Sequence, residues 1–223
     1  MISLNEAQPS RPGEVPALYL SVALEGTEPR VWRRILVPAT AKLGTLHAVL
    51  QVAMGWTNSH LHDFRFKDTT YSDPSFNLDA PSILDERKCS LAKLLVEPGD
   101  FLHYEYDFGD SWSHFVLLSE VSTTPFRSAR CIEGVGACPP EDCGGIPGFM
   151  ELLKAVKKPK SKAAKEYEQW LGYQYDPNAF SCDDVNPWLG RLPWPTVSTS
   201  ALSKVIVARM KHSKGRQVEQ TEE

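Results

Sequence analysis

Histidine and aspartate side chains are concentrated in two short stretches of the sequence. His60 and His62 project from one side of a predicted strand, while Asp107 and Asp110 bracket a predicted turn that His114 follows. Imidazole and carboxylate groups bind transition metals and also act as general acids and bases. If the strand ends near the turn, these five side chains converge on a metal-binding or acid–base site. Alternatively, the aspartates accept hydrogen bonds from turn amides and the histidines are structural.

A second group of candidate ligands consists of cysteines. Cys138 follows Cys131 after six residues, Cys143 follows after four more, and Cys182 is more distant. Thiolates are strong zinc ligands, and structural zinc sites use four ligands from closely spaced pairs. Zinc is therefore a candidate cofactor, although no pair has the two-residue spacing of a zinc knuckle. The alternative is that these thiols are small buried apolar groups in a loop rich in glycine and proline.

A third feature is a run of lysines that could bind phosphate groups, comprising Lys154, Lys157, Lys158, Lys160 and Lys162. Such a cluster is compatible with nucleic-acid binding. A solvated helix face explains it equally well, and the net charge of −4 argues against a general nucleic-acid binder.

Length and composition indicate a globular protein. The chain has 223 residues, of which 42% are hydrophobic, enough for one large domain with a substantial core. It contains no apolar run of transmembrane length and begins without the features of a signal peptide. We therefore expect a cytoplasmic protein with reduced cysteines and no membrane partner.

The elements that must position these side chains follow from hydrophobic periodicity. Alternation predicts a hairpin over 18–24 and 31–37, a strand over 60–66, and paired strands over 101–107 and 112–121. A helix is predicted from an N-cap at Thr45 to Gly55, with His47 beside its apolar stripe. Residues 67–88 are predicted to be a surface excursion and 125–148 a loop, and a short helix is predicted over 202–210.

This order of elements predicts an α+β fold. We expect a mixed, mainly antiparallel sheet with helices packed on one face, similar to a β-grasp. The predicted organisation is a flexible lead-in over 1–16, a single domain over 17–194, and a short helix with a polar tail over 195–223.

Several motifs together resemble the plasmid pRiA4b ORF-3-like family, which is also described as an insertion-element passenger TnpR protein. They are VWRRI at 31–35, MGW at 54–56, HLHDF at 60–64, YEYDFGDSWSH at 104–114, CPPEDCGG at 138–145 and YDP at 175–177. The resemblance implies an α+β fold and association with plasmids or mobile elements, but no reaction. The TnpR label suggests a resolvase, yet these residues carry no serine-recombinase signature.

Three functions follow as hypotheses. The sequence contains no Walker loop, dinucleotide-binding fingerprint, serine elbow or metalloprotease helix signature. The leading hypothesis is a non-catalytic binding or accessory module with a protein or nucleic-acid partner. The alternatives are a metal-dependent enzyme that uses the His/Asp cluster and a nucleic-acid-binding protein that uses the lysine-rich segment.

Overall fold

The computed structural model describes residues 16–78 and 82–221, and its centre is one open sheet. The eight strands are β1 (Ala17–Leu24), β2 (Val31–Pro38), β3 (His62–Phe66), β4 (Thr69–Ser72), β5 (Leu84–Asp85), β6 (Phe101–Tyr106), β7 (Trp112–Ser122) and β8 (Arg130–Val135). Their order across the sheet is β5-β4-β3-β6-β7-β1-β2-β8. Only the β4–β5 pair is parallel, so the predicted mixed, mainly antiparallel sheet is confirmed.

Alternation along the strands fixes which face of the sheet is covered. In β1, Leu18, Leu20 and Val22 are fully buried, whereas Tyr19 and Ser21 remain partly accessible. The helices are α1 (Leu43–Met54), α2 (Gly145–Val156), α3 (Lys162–Leu171), α4 (Cys182–Leu189) and α5 (Thr199–Thr221). The α+β fold class with helices on one face is therefore confirmed, while the likeness to a β-grasp stays a prediction.

Two segments predicted to lack strands contribute to the sheet. The predicted surface excursion over 67–88 contains β4 and β5, and it buries Tyr71, Ser72 and Glu86. The predicted loop over 125–148 contains the edge strand β8, in which Cys131 is buried. All three strands are short and lack a strong hydrophobic alternation, so their pairing depends on the neighbouring strands rather than on a local hydrophobic pattern.

Helix α1 is buried on all sides rather than along one stripe. It begins at Leu43, so the prediction of Thr45 as the N-cap is wrong, and the hydroxyl of Thr45 donates instead to the Pro195 carbonyl at 3.4 Å. The predicted end is confirmed, because Gly55 adopts the left-handed conformation at φ 107°. A helix enclosed by sheet and helices can bury a polar side chain such as His47, which is 5% exposed.

Helix α5 extends well beyond the short helix predicted over 202–210. Its Leu202, Val205 and Ile206 are buried against the domain. Its Arg209 guanidinium donates to four carbonyl oxygens at the end of α1, those of Gln51, Val52, Gly55 and Trp56, at 2.6–3.4 Å. Carbonyl groups at the C-terminal end of a helix run out of helical N–H donors, so Arg209 supplies donors at the end of α1 and over the two residues that follow it.

Two predictions about the termini fall partly beyond the described residues. Most of the predicted lead-in, residues 1–15, and the last two residues of the tail lie outside them. Within residues 16–78 and 82–221, the helices are too short or too polar to cross a bilayer.

Candidate functional site

The structure divides the predicted His/Asp set into separate groups. His60 lies beside Asp107, with Nε2 and Oδ2 3.6 Å apart, whereas His62 faces a different carboxylate. His114 is fully buried against the Trp56 ring and its Nδ1 contacts the Tyr104 carbonyl at 3.2 Å. The sequence-based expectation of one convergent site is therefore not met by these five side chains.

The remaining member of the set, Asp110, has a structural role. Its Oδ2 accepts a hydrogen bond from the Gly144 amide at 3.2 Å. This contact joins the turn between β6 and β7 to the cysteine-containing loop. Asp110 therefore fits the alternative interpretation, in which the aspartates accept hydrogen bonds from backbone amides.

His62 forms the centre of a buried pair that the sequence did not reveal. Its Nε2 lies 2.9 Å from Oε2 of Glu86, and both side chains are at most 4% exposed. The His62 ring also stacks on the His47 ring, with centroids 3.5 Å apart and an angle of 4° between the planes. Two imidazoles and one carboxyl are thus enclosed together.

Burial changes the protonation of all three groups. Desolvation lowers the pKa of His47 and of His62 to about 3, and it raises the pKa of Glu86 to about 7. In each case the low-dielectric surroundings disfavour the charged form. Both histidines are therefore neutral near pH 7, where Glu86 is poised to gain or lose a proton.

A hydrogen-bond network holds the His47 ring in place. Its Nδ1 lies 2.8 Å from the Tyr104 hydroxyl, and its Nε2 lies 2.6 Å from Oδ1 of Asn58. Gln51 joins both partners, because its amide nitrogen donates to the Tyr104 hydroxyl and its Oε1 accepts from the Asn58 amide. His47 therefore supplies a fixed platform for His62.

The backbone at the start of α1 accommodates the Glu86 carboxyl. A Cβ atom at Gly44 would lie 2.8 Å from Oε1 of Glu86, closer than van der Waals contact allows. The carboxyl is thus packed against the first turn of α1, where the helix dipole favours negative charge. Gly44 is required here by the close approach of a side chain rather than by an unusual backbone angle.

These groups line a cavity of about 420 Å³. Its wall includes His47, His60, His62, Asp73 and Glu86, together with hydroxyl groups from the segment before α5. The edge of the Phe76 ring points to His62 with centroids 5.2 Å apart. The cavity lining therefore combines polar and apolar side chains, as in binding sites for small molecules.

A second imidazole–carboxylate group lies at His60. The Nε2 atom of His60 is 3.6 Å from Oδ2 of Asp107 and 3.2 Å from Oδ1 of Asp142. These three ligand atoms lie within 4.8 Å of one another. Among the described residues, this is the one group of three or more such ligands that meets that limit.

The four candidate zinc ligands are only partly brought together. The sulfur atoms of Cys131 and Cys182 are 3.8 Å apart, so this pair is close. Across residues 16–78 and 82–221, no three of the thiols lie within 4.8 Å of one another. Desolvation raises the pKa of the Cys143 thiol to about 12, which disfavours the thiolate that zinc requires. Zinc binding by Cys131, Cys138, Cys143 and Cys182 stays a prediction.

The lysine-rich segment is an exposed surface on α2 and α3. Lys154 pairs with Glu151 at 2.7 Å and Lys162 pairs with Glu166 at 3.4 Å. Lys157, Lys158 and Lys160 are exposed between the two helices. Nucleic-acid binding through these residues stays a prediction.

Sequence reasoning missed three residues of the two His/carboxylate groups. His47 was placed beside the helix stripe, Glu86 lies in a segment predicted to be exposed, and Asp142 lies in the cysteine-containing loop. A signal for Glu86 existed in Asp85, whose side chain caps the short turn that carries Glu86 and accepts a hydrogen bond from the Arg87 amide. Such a turn shows that the segment is ordered, but not which carboxylate it buries.

Fold and cavity together define an α+β protein with an open, mainly antiparallel sheet and a polar cavity beside its first helix. The model of the plasmid pRiA4b ORF-3-like family matches residues 16–184, and the chain belongs to that family. The predicted family assignment is thereby confirmed.

The chain is also similar to two other proteins. The chain is 38% identical to uncharacterized protein y4hQ of Sinorhizobium fredii over 171 residues, covering 75% of this chain and 87% of that protein. It is also similar to the crystal structure of a protein of unknown function, MM3350, from Methanosarcina mazei Go1. That match has a TM-score of 0.69 at 28% identity and covers 78% of this chain and 99% of the other.

Proposed function

We propose that this protein is a ligand-binding module whose cavity holds a small molecule with a hydroxyl or amino group. The observation that carries the proposal is the Nδ1 atom of His62, which is buried and has no hydrogen-bond partner. His62 lines the cavity, so a bound molecule is the available source of that partner.

The free energy of the site supports this role. A buried polar atom without a partner costs roughly 1–3 kcal/mol, and a hydrogen bond from a ligand recovers that cost. The His62 ring cannot turn away, because Nε2 is held by Glu86 and one ring face is held by His47. A polar group fixed in advance in this way binds without further loss of side-chain entropy.

The charges of the cavity wall indicate the chemical class of the ligand. Its carboxyl groups belong to Asp73 and Glu86, and its one guanidinium, that of Arg87, is bound to Asp85 at 2.9 and 3.2 Å. This balance favours a neutral or cationic ligand over an anion. The cavity volume of about 420 Å³ admits a small metabolite but not a polymer.

The test is a thermal-shift series with ethanolamine, Tris and glycerol as ligand probes and acetate as the anionic comparison. We expect the amine and hydroxyl probes to raise the melting temperature of the protein, and acetate to leave it unchanged. In His62→Phe the ring still stacks on His47 but offers no nitrogen, so the shift disappears relative to that variant's own baseline.

Two further variants separate loss of binding from loss of folding. Val197→Phe narrows the cavity without touching His62, and it should also remove the shift. His103→Phe makes the same change at a half-exposed histidine on β6 outside the cavity, and it should keep the shift. Equal shifts in wild type and His62→Phe, or no shift with any amine or hydroxyl probe, would refute the proposal.

A further inference from the structure

We infer that His60, Asp107 and Asp142 form a binding site for a divalent transition-metal ion at the rim of the cavity. Their ligand atoms, one imidazole nitrogen and two carboxylate oxygens, lie within 4.8 Å of one another. His60 also lines the cavity, so the ion would lie where the cavity meets the turn between β6 and β7. This site is distinct from the His62–Glu86 pair, and its test does not depend on the ligand proposed for the cavity.

The His60 ring nitrogen lacks a hydrogen-bond partner. The Nε2 atom of His60 is buried and has no hydrogen-bond partner, although two carboxylate oxygens lie 3.2 and 3.6 Å away. The Asp107 oxygen is too distant for a hydrogen bond, and the Asp142 oxygen is near enough but does not meet the angular requirement of one. The ring nitrogen is thus left without a partner beside two carboxylates.

The distances from the nitrogen to the two oxygens suit a shared metal ion. If one ion binds the nitrogen and both oxygens with bonds of about 2.1 Å, separations of 3.2 and 3.6 Å correspond to angles at the ion of about 100° and about 118°. Both angles at the ion lie between those of octahedral and trigonal coordination. The tetrahedral angle falls between the two. The nitrogen is thus separated from each oxygen as two ligands of one ion should be, and the three atoms all lie within 4.8 Å of one another.

The Asp107 carboxylate is held in place for this role. Its Oδ1 accepts hydrogen bonds from the amides of Gly109 and Asp110 at 3.0 and 3.3 Å, which leaves Oδ2 to face His60. The Asp107 amide donates to the Leu61 carbonyl at 2.9 Å, so the turn and the residue next to His60 are joined through the backbone.

The loop that carries Asp142 is attached to the same turn. The carboxylate of the preceding residue, Glu141, accepts hydrogen bonds from the Thr57 amide at 3.0 Å and from the Tyr106 hydroxyl at 2.6 Å. Asp110 binds the Gly144 amide on the other side of Asp142. Asp142 is itself exposed, so its carboxylate is both positioned and accessible to an incoming ion. Fixed ligands of this kind raise metal affinity.

The donor set indicates the class of ion. One imidazole and two carboxylates suit Mn²⁺, Fe²⁺, Co²⁺ or Zn²⁺, whereas Cu⁺ and other soft ions prefer thiolates. Three protein ligands leave at least one position for water, as in metal sites that bind a further molecule.

The experiment is a titration of reduced, chelator-treated, tag-free protein with Co²⁺, followed by visible absorption, and with Mn²⁺, followed by calorimetry. We expect one ion per chain and a cobalt spectrum without the intense near-ultraviolet band of thiolate ligation. Asp142→Asn should weaken binding at least about 10-fold, and the exposed position of Asp142 means that this variant should fold. His60→Ala should weaken binding by at least as much.

Two controls decide between this site and other sources of metal. Asp68→Asn removes the same charge from an exposed turn between β3 and β4 and should bind as wild type does. Cys138→Ser/Cys143→Ser should also bind as wild type does. The inference is overturned if wild type binds no ion, if Asp142→Asn binds with unchanged affinity, or if binding is lost with the cysteines and accompanied by a thiolate band.

Discussion

His60 and His62 are separated by one residue, yet each meets its carboxylate in a different way. His62 is 4% exposed in its side chain and lies in hydrogen-bonding contact with Glu86. His60 is 26% exposed and lies beside two carboxylate oxygens, but its Nε2 atom forms a hydrogen bond with neither. The His62 and Glu86 side chains therefore contact each other directly. The His60 imidazole and its two carboxylates lie close together without such a contact.

This difference shows how burial selects between two uses of the same chemical groups. In the interior, where water is excluded, a buried imidazole and a buried carboxyl group are most stable when they share one proton. Separate buried charges would be costly there. At the rim, water and ions can enter, so two carboxylates can lie beside one imidazole and remain able to bind a cation. The following five predictions test this contrast between the buried pair and the rim group.

The largest effect is expected from removing the carboxyl of the buried pair. Glu86→Ala leaves the His62 nitrogen without a partner and creates a void beside α1, so we expect the free energy of unfolding to fall by about 3 kcal/mol. Chemical denaturation at neutral pH measures this change. Glu133→Ala, an exposed position on β8, is the control and should have little effect. Equal stability of the two variants would show that the buried pair is not important for the fold.

The pH dependence of stability should reveal the same pair. The pKa of Glu86 is raised in the folded state, so its contribution is fully present below about pH 4.5 and is lost as the pH rises through about 7. In Glu86→Gln this dependence disappears, and we expect the variant to gain on the order of 2 kcal/mol relative to wild type between about pH 5 and about pH 8. Melting temperatures of both proteins across this range provide the measurement, and parallel curves would contradict the prediction.

The histidines act in the opposite direction at lower pH. Burial lowers the pKa of His47 and His62 to about 3 and that of His114 to about 4, so the unfolded chain binds protons more readily below about pH 6.5. Their stabilising contribution is therefore present above about pH 6.5 and is lost as the pH falls. The same melting curves should show Glu86→Gln and wild type both losing stability on acidification below that value.

A smaller effect is expected at the close contact between Glu86 and the first turn of α1. Replacing glycine by alanine in a helix normally stabilises it by up to about 1 kcal/mol. In Gly44→Ala the new methyl group would displace the Glu86 carboxyl, so we expect a net loss of about 1–2 kcal/mol. Gly190→Ala is the matched control, because its added Cβ meets no atom closer than 3.5 Å, and that variant should be unchanged or slightly stabilised. Denaturant unfolding of the two variants side by side tests the prediction.

The smallest effect on stability is expected at the rim. Without metal, Asp142→Asn removes an exposed carboxylate from a pair of like charges, so the free energy of unfolding should change by no more than about 0.5 kcal/mol. Thermal denaturation in the presence of a chelator measures this. A large loss of stability would mean that the rim carboxylates hold the fold together directly, as Glu86 does.

The sequence predicted the framework of this fold because the framework follows local rules. Strands β1, β6 and β7 alternate between buried and more accessible residues over most of their length, and the turn at Gly55 has a residue-specific cause. The two His/carboxylate groups do not follow local rules. Glu86 is buried by contacts with α1, about forty residues earlier in the chain, and His47 is buried because that helix is covered on every side.

The expected convergence of His60 and His62 also failed for a structural reason. Strand β3 begins only at His62, so the alternation that was expected to place both imidazoles together does not include His60. His60 follows the conformation of the preceding segment, whereas His62 follows the pleat of the sheet. The spacing of two residues was correct for a strand, but the strand starts at the second histidine.

The contact of Arg209 with the end of α1 has a consequence for where the folded unit stops. The family match ends at residue 184, yet this guanidinium holds four carbonyl groups of a helix that also carries His47. Thr199 and Leu202 of the same α5 helix form part of the cavity wall. A chain shortened at the family boundary would therefore retain every residue of both His/carboxylate groups and still lose one side of the cavity. The part of the chain that closes this side of the cavity, the first turn of α5 and the residues just before it, therefore lies beyond the segment that the family match covers.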